Sequence, residues 1–170
     1  MVDLVDRYRN QVFGLCYRML GHRQDAEDAA QETFVRALKS LARWDQDRDF
    51  EPWLLAIAGN RCRTALAARG RRPAMAGLSD DQYVDDSPDF EAARNLAEEM
   101  HLALGRIRAE YREAFVLFHE HELTYEHIAE MLERPLGTIK TWIRRARHEL
   151  VALLQKREVV WESRHEMRRV

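Results

Sequence analysis

The chain has 170 residues, 46% of them apolar and 33% charged, with 27 Lys and Arg against 29 Asp and Glu and a formal net charge of -2. That apolar share excludes a disordered tail and suits one ordinary domain or two small helical ones. No apolar run approaches the roughly twenty residues needed to cross a bilayer, and the opening MVDLVDRYRN lacks the cationic and then apolar order of a signal peptide. The chain is therefore expected in the cytoplasm, without membrane insertion. Four Pro and seven Gly, with few alternating runs of Val, Ile or Thr, predict an all-α protein with little or no sheet. Cys16 and Cys62 have no CxxC or Cys/His neighbours, so free thiols, buried or half-buried in a reducing compartment, are the stronger reading and a redox pair the weaker.

Residues 1–72 carry three helical patterns. In the first, Val12, Phe13, Leu15, Cys16, Met19 and Leu20 form one apolar face, closed by Gly21 and His22. The second spans 25–41, with Ala29, Ala30, Phe34, Ala37, Leu38 and Leu41 expected inward. Asp25, Glu27, Asp28 and Glu32 give its other face a dense negative charge near the helix start, where the dipole favours it. The third begins around Phe50 to Trp53, turns Trp53, Leu54, Ile57 and Ala58 to the core, and runs through Asn60 into Arg61, Arg63, Arg69, Arg71 and Arg72 with no acid among them.

Residues 73–90 hold turn formers and Asp80, Asp81, Asp85, Asp86 and Asp89, with few core candidates, and read as a flexible acidic linker. The second module, 91–154, places Leu96, Met100, Leu104 and Ile107 on one helix and Tyr111, Ala114, Phe115, Leu117 and Phe118 on the next. It closes with LTYEHIAEMLERPLGTIKTWIRRARHEL, two short helices joined by a tight turn, the arrangement that presents a helix to a DNA groove. Thr124 caps the first of them, Ile128, Ala129, Met131 and Leu132 face inward, and Glu133, Arg134 and Pro135 break it. Gly137 and Thr138 suit a second N-terminus whose free amides face a phosphate. Ile139, Ile143, Ala146 and Leu150 make the inner stripe of that helix, leaving Lys140, Thr141, Arg144, Arg145 and Arg147 on outward or flanking faces. A plain helical hairpin with a solvated basic face is the simpler alternative. The tail, 155–170, reads as a frayed end or a regulatory extension.

Set side by side, DAEDAAQETFVRAL, FEPWLLAIAGNRC and the closing helix pair, in that order and with an acidic linker between them, resemble the extracytoplasmic-function (ECF) group of bacterial sigma-70-type RNA polymerase sigma factors. The resemblance covers nearly all of 3–154. It implies a sigma region 2 bundle and a region 4 helix-turn-helix, no active site, cofactor or metal, and three partners: bacterial core RNA polymerase, promoter DNA and an anti-sigma factor. Asp25, Asp28, Gln31, Glu32 and Arg36 are implied at the polymerase, where an acidic amphipathic face offers charge-assisted pairs to arginines. Asn60, Arg61, Arg63, Arg69, Arg71 and Arg72 are implied at the promoter element about ten bases upstream of the start, where melting needs polar groups for an unstacked base and cations for the displaced strand. Arg134, Gly137, Thr138, Lys140, Thr141, Arg144 and Arg145 are implied at the element about thirty-five bases upstream, reading base edges and anchoring phosphates.

Some positions depart from the family pattern. Trp142 stands where a basic residue is common, and either packs on a sugar or thymine methyl or faces a neighbouring helix. His127 stands where a glutamate would complete a capping box with Thr124. The acidic linker either mimics nucleic acid in the polymerase channels or is a spacer. Two rival readings accompany this one. Glu98 with His101 and Glu162 with His165 have the Glu-x-x-His spacing of di-iron bundles, an enzyme reading that needs two further converging glutamates; His119 and His121 read as a solvated helix end. A stand-alone helix-turn-helix regulator that never meets polymerase would leave the DAEDAAQETF face without a role, and no heptad seam offers it a dimer interface.

Overall fold

The computed structural model describes residues 2–69 and 88–156, with side chains placed for 4–69 and 96–156. They form α1 (Val2–Leu20), α2 (Arg23–Ser40), a 3-10 turn (Leu41–Arg43), α3 (Phe50–Arg69), α4 (Pro88–Arg106), α5 (Ala109–His119), α6 (Tyr125–Met131) and α7 (Leu136–Gln155). No strand occurs among the described residues, in keeping with the all-α expectation. Arg71, Arg72, Asp80, Asp81, Asp85, Asp86 and residues 157–170, with Glu162 and His165, lie outside the described residues.

The first module is α1 to α3. Gly21 sits at φ 72, a left-handed conformation that a side chain rarely adopts, and its N–H reaches the Tyr17 carbonyl at 2.9 Å. That closes α1 and reverses the chain into α2. Val12, Leu15, Cys16 and Met19 of α1 are fully buried against Leu54, Ala58 and Cys62 of α3. The buried face of α2 is mostly alanine, Ala26, Ala29, Ala30 and Ala37, with Phe34 filling the remaining width. Small residues there let α2 approach the other helices closely. Leu38 and Leu41, expected inward, are each 37% exposed. The alanine face already seals the core, and Leu41 has left the helix for the 3-10 turn.

Tyr8, Trp44, Phe50 and Trp53 pack at one end, with Phe50 5.1 Å from Trp44 and 5.3 Å from Trp53 between ring centroids. Trp53 thus belongs to an aromatic cluster. Cys16 and Cys62 are free and fully buried, and the hydrogen bond with Cys16 together with burial pushes the Cys62 thiol up, which makes it unreactive.

The second module is α4 to α7. Helix α4 starts at Pro88, so Pro88, Asp89 and Phe90, read as linker, are helical; proline suits a first turn because its missing N–H would have had no partner there. Leu104, Ile107, Tyr111, Ala114 and Leu117 pack against Ile128, Ile139, Ile143, Ala146, Leu150 and Leu154. Leu96, expected on the apolar face of α4, is 42% exposed. The Thr124 hydroxyl accepts from the His127 N–H at 3.2 Å, so the predicted cap of α6 forms without a glutamate at 127. Glu133 then takes φ 52, and the Arg134 N–H bonds back to the Ala129 carbonyl at 3.0 Å, which turns the chain into α7.

Candidate nucleic-acid and polymerase interfaces

Asp28, Gln31, Glu32, Val35, Arg36 and Lys39 line a shallow open groove along α2. Val35 is 51% exposed, with Leu38 and Leu41 near it. Exposed apolar side chains beside acids and bases on one helix make a strip that a partner can desolvate and pair with. Four of the five residues assigned to polymerase by sequence fall in this groove. Asp25 does not; it is taken by Arg69 of α3 and lies 3.8 Å from His22.

The arginines of α3 do not fan out to solvent. Arg61 pairs with Glu32, and Arg69 pairs with Asp25 while donating to the Leu20 carbonyl at 2.9 Å. Two acids read as polymerase contacts therefore hold two arginines read as DNA contacts. Arg63 donates to the Asn60 side-chain oxygen at 3.2 Å and also pairs with Glu113 of α5. Asn60 is exposed beside this pair. The structure thus brings Asn60 and Arg63 together and spends Arg61 and Arg69 within the module.

Helix α7 behaves differently. Ile139, Ile143, Ala146, Leu150 and Leu154 are buried, and the opposite face carries Gly137, Thr141, Arg144 and His148 at helical spacing. The Thr141 hydroxyl donates to the Gly137 carbonyl at 2.8 Å. Lys140 flanks this face with its ammonium 5.6 Å from the Tyr125 ring, and on the other flank Arg145 donates to the Tyr111 hydroxyl at 2.9 Å. Arg134 is exposed in the turn. Trp142 faces a neighbouring helix, its ring 6.3 Å from that of Tyr111 on α5. His148 went unnoticed in the sequence, although its spacing of four from Arg144 and seven from Thr141 places it on the same outer row.

The modules also meet each other. The Tyr17 ring of α1 stacks on His101 of α4 at 4.3 Å and 10°, and Arg18 pairs with Glu120 at 2.9 Å. Arg112 of α5 is buried and donates to the Met19 carbonyl at the end of α1, as well as to the Gly105 and Ile107 carbonyls at 3.3 Å. Glu113 is 2% exposed, and burial raises its carboxyl above the ordinary range against the downward pull of Arg63. Arg48 pairs with Glu130 of α6. His121, read as solvated, has a side chain only 6% exposed, 4.0 Å from Glu51; the first module covers it. His119 is exposed, as expected, and accepts from Arg147 at 3.0 Å. His101 is taken up by Tyr17, and no group of three or more metal-ligating side chains occurs among the described residues.

A family model described as Sigma-70 region 2 matches residues 4–72, and one described as Sigma-70, region 4 matches residues 97–150. The chain is 35% identical over 161 residues to the ECF RNA polymerase sigma factor SigW of Bacillus subtilis, across 87% of this chain and 85% of that protein. The RNA polymerase sigma-H factor of Pseudomonas aeruginosa is 32% identical over 163 residues, across 89% and 84%. The sigma factor RpoE of Bartonella quintana, solved in complex with the anti-sigma factor NepR, shares the fold at a TM-score of 0.75 and 22% identity, over 91% of this chain and 98% of that one. CnrH, solved in complex with the cytosolic domain of CnrY, gives 0.66 at 28% identity, over 91% and 86%. The chain belongs to the ECF group of the sigma-70 family of RNA polymerase sigma factors.

Proposed function

We infer that this sigma factor divides its work among three surfaces: the α2 groove for core RNA polymerase, Asn60 and Arg63 with the arginines after them for the melted promoter element, and the outer face of α7 for the upstream element. The observation that carries the division is the contrast between α2, acidic, grooved and edged with exposed apolar side chains, and α7, whose outer face is cationic and whose inner stripe is fully seated. Within the upstream assignment Arg134 and Thr138 anchor phosphates beside Gly137, Lys140, Thr141, Arg144 and Arg145 face bases and the adjoining backbone, and His148 joins them. The protein acts without catalysing a reaction itself, in the cytoplasm, and is held by an anti-sigma factor until needed. No helix among the described residues is long and apolar enough to cross a membrane.

The test is transcription by purified bacterial core polymerase on genomic DNA with and without the protein, with RNA start sites sequenced. New starts that share two spaced upstream elements are expected. Binding to duplex DNA with full specificity in the absence of polymerase, and no new starts, would favour the stand-alone regulator instead. Within the assigned surfaces, Asp28→Arg should impair competition for core while leaving the helical content unchanged.

A further inference from the structure

We propose that the two modules of the free chain dock on each other through a latch, Glu113 of α5 seated over Gly59 and paired with Arg63 of α3, and that this docking occupies the surface assigned above to the melted promoter strand. The second half of the proposal rests on that assignment; the first half does not.

Helix α5 carries two adjacent charged residues, Arg112 and Glu113, that are 8% and 2% exposed. Burying neighbouring charges of opposite sign is costly unless each is met by a partner. Both are met, and across the module boundary. Arg112 reaches the Met19 carbonyl, one of the carbonyls that the end of α1 leaves without a helical partner. Glu113 accepts from Arg63. Arg112 also serves its own module through the Gly105 and Ile107 carbonyls at 3.3 Å, whereas the hydrogen bond that meets Glu113 comes from the other module, so the buried carboxylate is the group that the docked pair accounts for.

Gly59 supplies the seat. It is a glycine in the interior of α3, where the residue weakens a helix, and it lies at the buried contact. A Cβ added there would run into the Glu113 carboxylate, with the Arg63 guanidinium 3.4 Å and the Glu113 carboxyl carbon 3.5 Å away. The docked carboxylate therefore leaves no room for a side chain at this position. Around the latch, Tyr17 on His101, Arg18 with Glu120 and Arg48 with Glu130 extend the contact over α1, α4, α5 and α6.

The consequence follows from where the latch sits. Arg63 and Asn60 are the two α3 residues assigned together to a melted strand, and Arg63 shares its guanidinium between Asn60 and Glu113 of α5. A carboxylate on that guanidinium stands where a phosphate or base edge would have to bind. Docked and strand-bound states are then mutually exclusive at this point, and nucleic acid sees only the undocked fraction.

The experiment uses the full chain with Arg43→Cys and Val151→Cys, exposed positions on the two modules, labelled for distance measurement; the native thiols are buried and take no label. The parent protein should give one narrow distance. Gly59→Ala should broaden and lengthen it with unchanged helical content, and Glu113→Lys, which sets like charge against Arg63, should do the same. Binding of a random-sequence single-stranded DNA probe should tighten severalfold in both variants, by the reciprocal of the open fraction of the parent. A broad distance in the parent, or a narrow one kept in both variants, overturns the latch while leaving the transcription result untouched. Opening without tighter strand binding overturns the occlusion and also removes Asn60 and Arg63 from the melted strand.

Discussion

The two modules spend their arginines differently. In the first, the basic run of α3 is turned back on the protein, Arg61 to Glu32, Arg63 to Glu113, and Arg69 to Asp25 and the Leu20 carbonyl. In the second, Arg134, Lys140, Arg144 and Arg145 stay exposed around one helix, and the contacts of Lys140 and Arg145 are to an aromatic ring and a phenol rather than to carboxylates. Similar densities of positive charge in the sequence thus give a largely neutralised surface in one module and a cationic one in the other. A free cation gains counterion release when it meets a phosphate, whereas a paired one must first give up its carboxylate. Under the proposed assignment helix α7 meets duplex DNA with its cations clear of carboxylates, whereas the α3 arginines must first release Glu32, Asp25 or Glu113.

The largest effect that breaks this comparison comes from beneath the cationic face. Ile143 is 1% exposed in the inner stripe of α7, and Ile143→Ala leaves a cavity expected to cost about 2–5 kcal/mol of second-module stability. Urea unfolding reads it directly, and a loss well under about 1 kcal/mol would mean that α7 is not seated by this stripe. Next comes a pair of variants that should respond oppositely. Arg144→Ala is expected to weaken protection of the upstream element by polymerase roughly ten- to hundredfold with no change in unfolding. Arg61→Ala should leave that element untouched and shift stability by only about 0–1 kcal/mol, because Arg61 and Glu32 are 19% and 52% exposed. Equal losses of upstream protection in both would erase the distinction between the modules. Thr124→Ala, which removes the hydroxyl that receives the His127 N–H, follows with about 1 kcal/mol, read in the same unfolding assay; no change there would mean water replaces the cap without loss.

What the sequence disclosed follows from the range of the signal. The helix-turn-helix was legible residue by residue, because Ile139, Ile143, Ala146 and Leu150 repeat at helical spacing and Thr124 and Pro135 punctuate the pair. The groove on α2 is legible as an acidic face, yet the same periodicity turns Leu38 and Leu41 inward, because it distinguishes apolar from polar residues and not a buried position from an exposed one. Contacts between residues far apart in the chain left no local trace. Arg63 and Glu113 are separated by 50 positions and Arg112 and Met19 by 93, so an arginine-rich run looked free when one of its members was latched. His121 misled for the same reason, since HEHE is polar locally and its burial comes from the first module.

The smallest effect sharpens the comparison at the boundary itself. Burial first, then Arg18 and Arg112, hold His101 below the ordinary histidine value, with the Gly21 carbonyl and Glu120 pulling upward. His121 is lowered by burial too, with Glu120 opposing and Glu51 beside it. A base whose docked pKa lies below its free value binds more protons once the modules part, so docking is fully supported above the ordinary histidine range and weakens as pH falls through it. Glu113 works in the other direction: burial holds its carboxyl up against Arg63, with Glu110 adding to the rise, so its protonation favours docking as pH falls. His101→Phe keeps a ring on Tyr17 and removes one titration, and the difference between it and the parent isolates His101 whatever Glu113 contributes. Between about pH 7.5 and about pH 5.5 the parent should lose docked fraction relative to His101→Phe in the two-label distance measurement. Parallel profiles would mean that His101 is solvated in the free chain, and the stack on Tyr17 would then not join the modules.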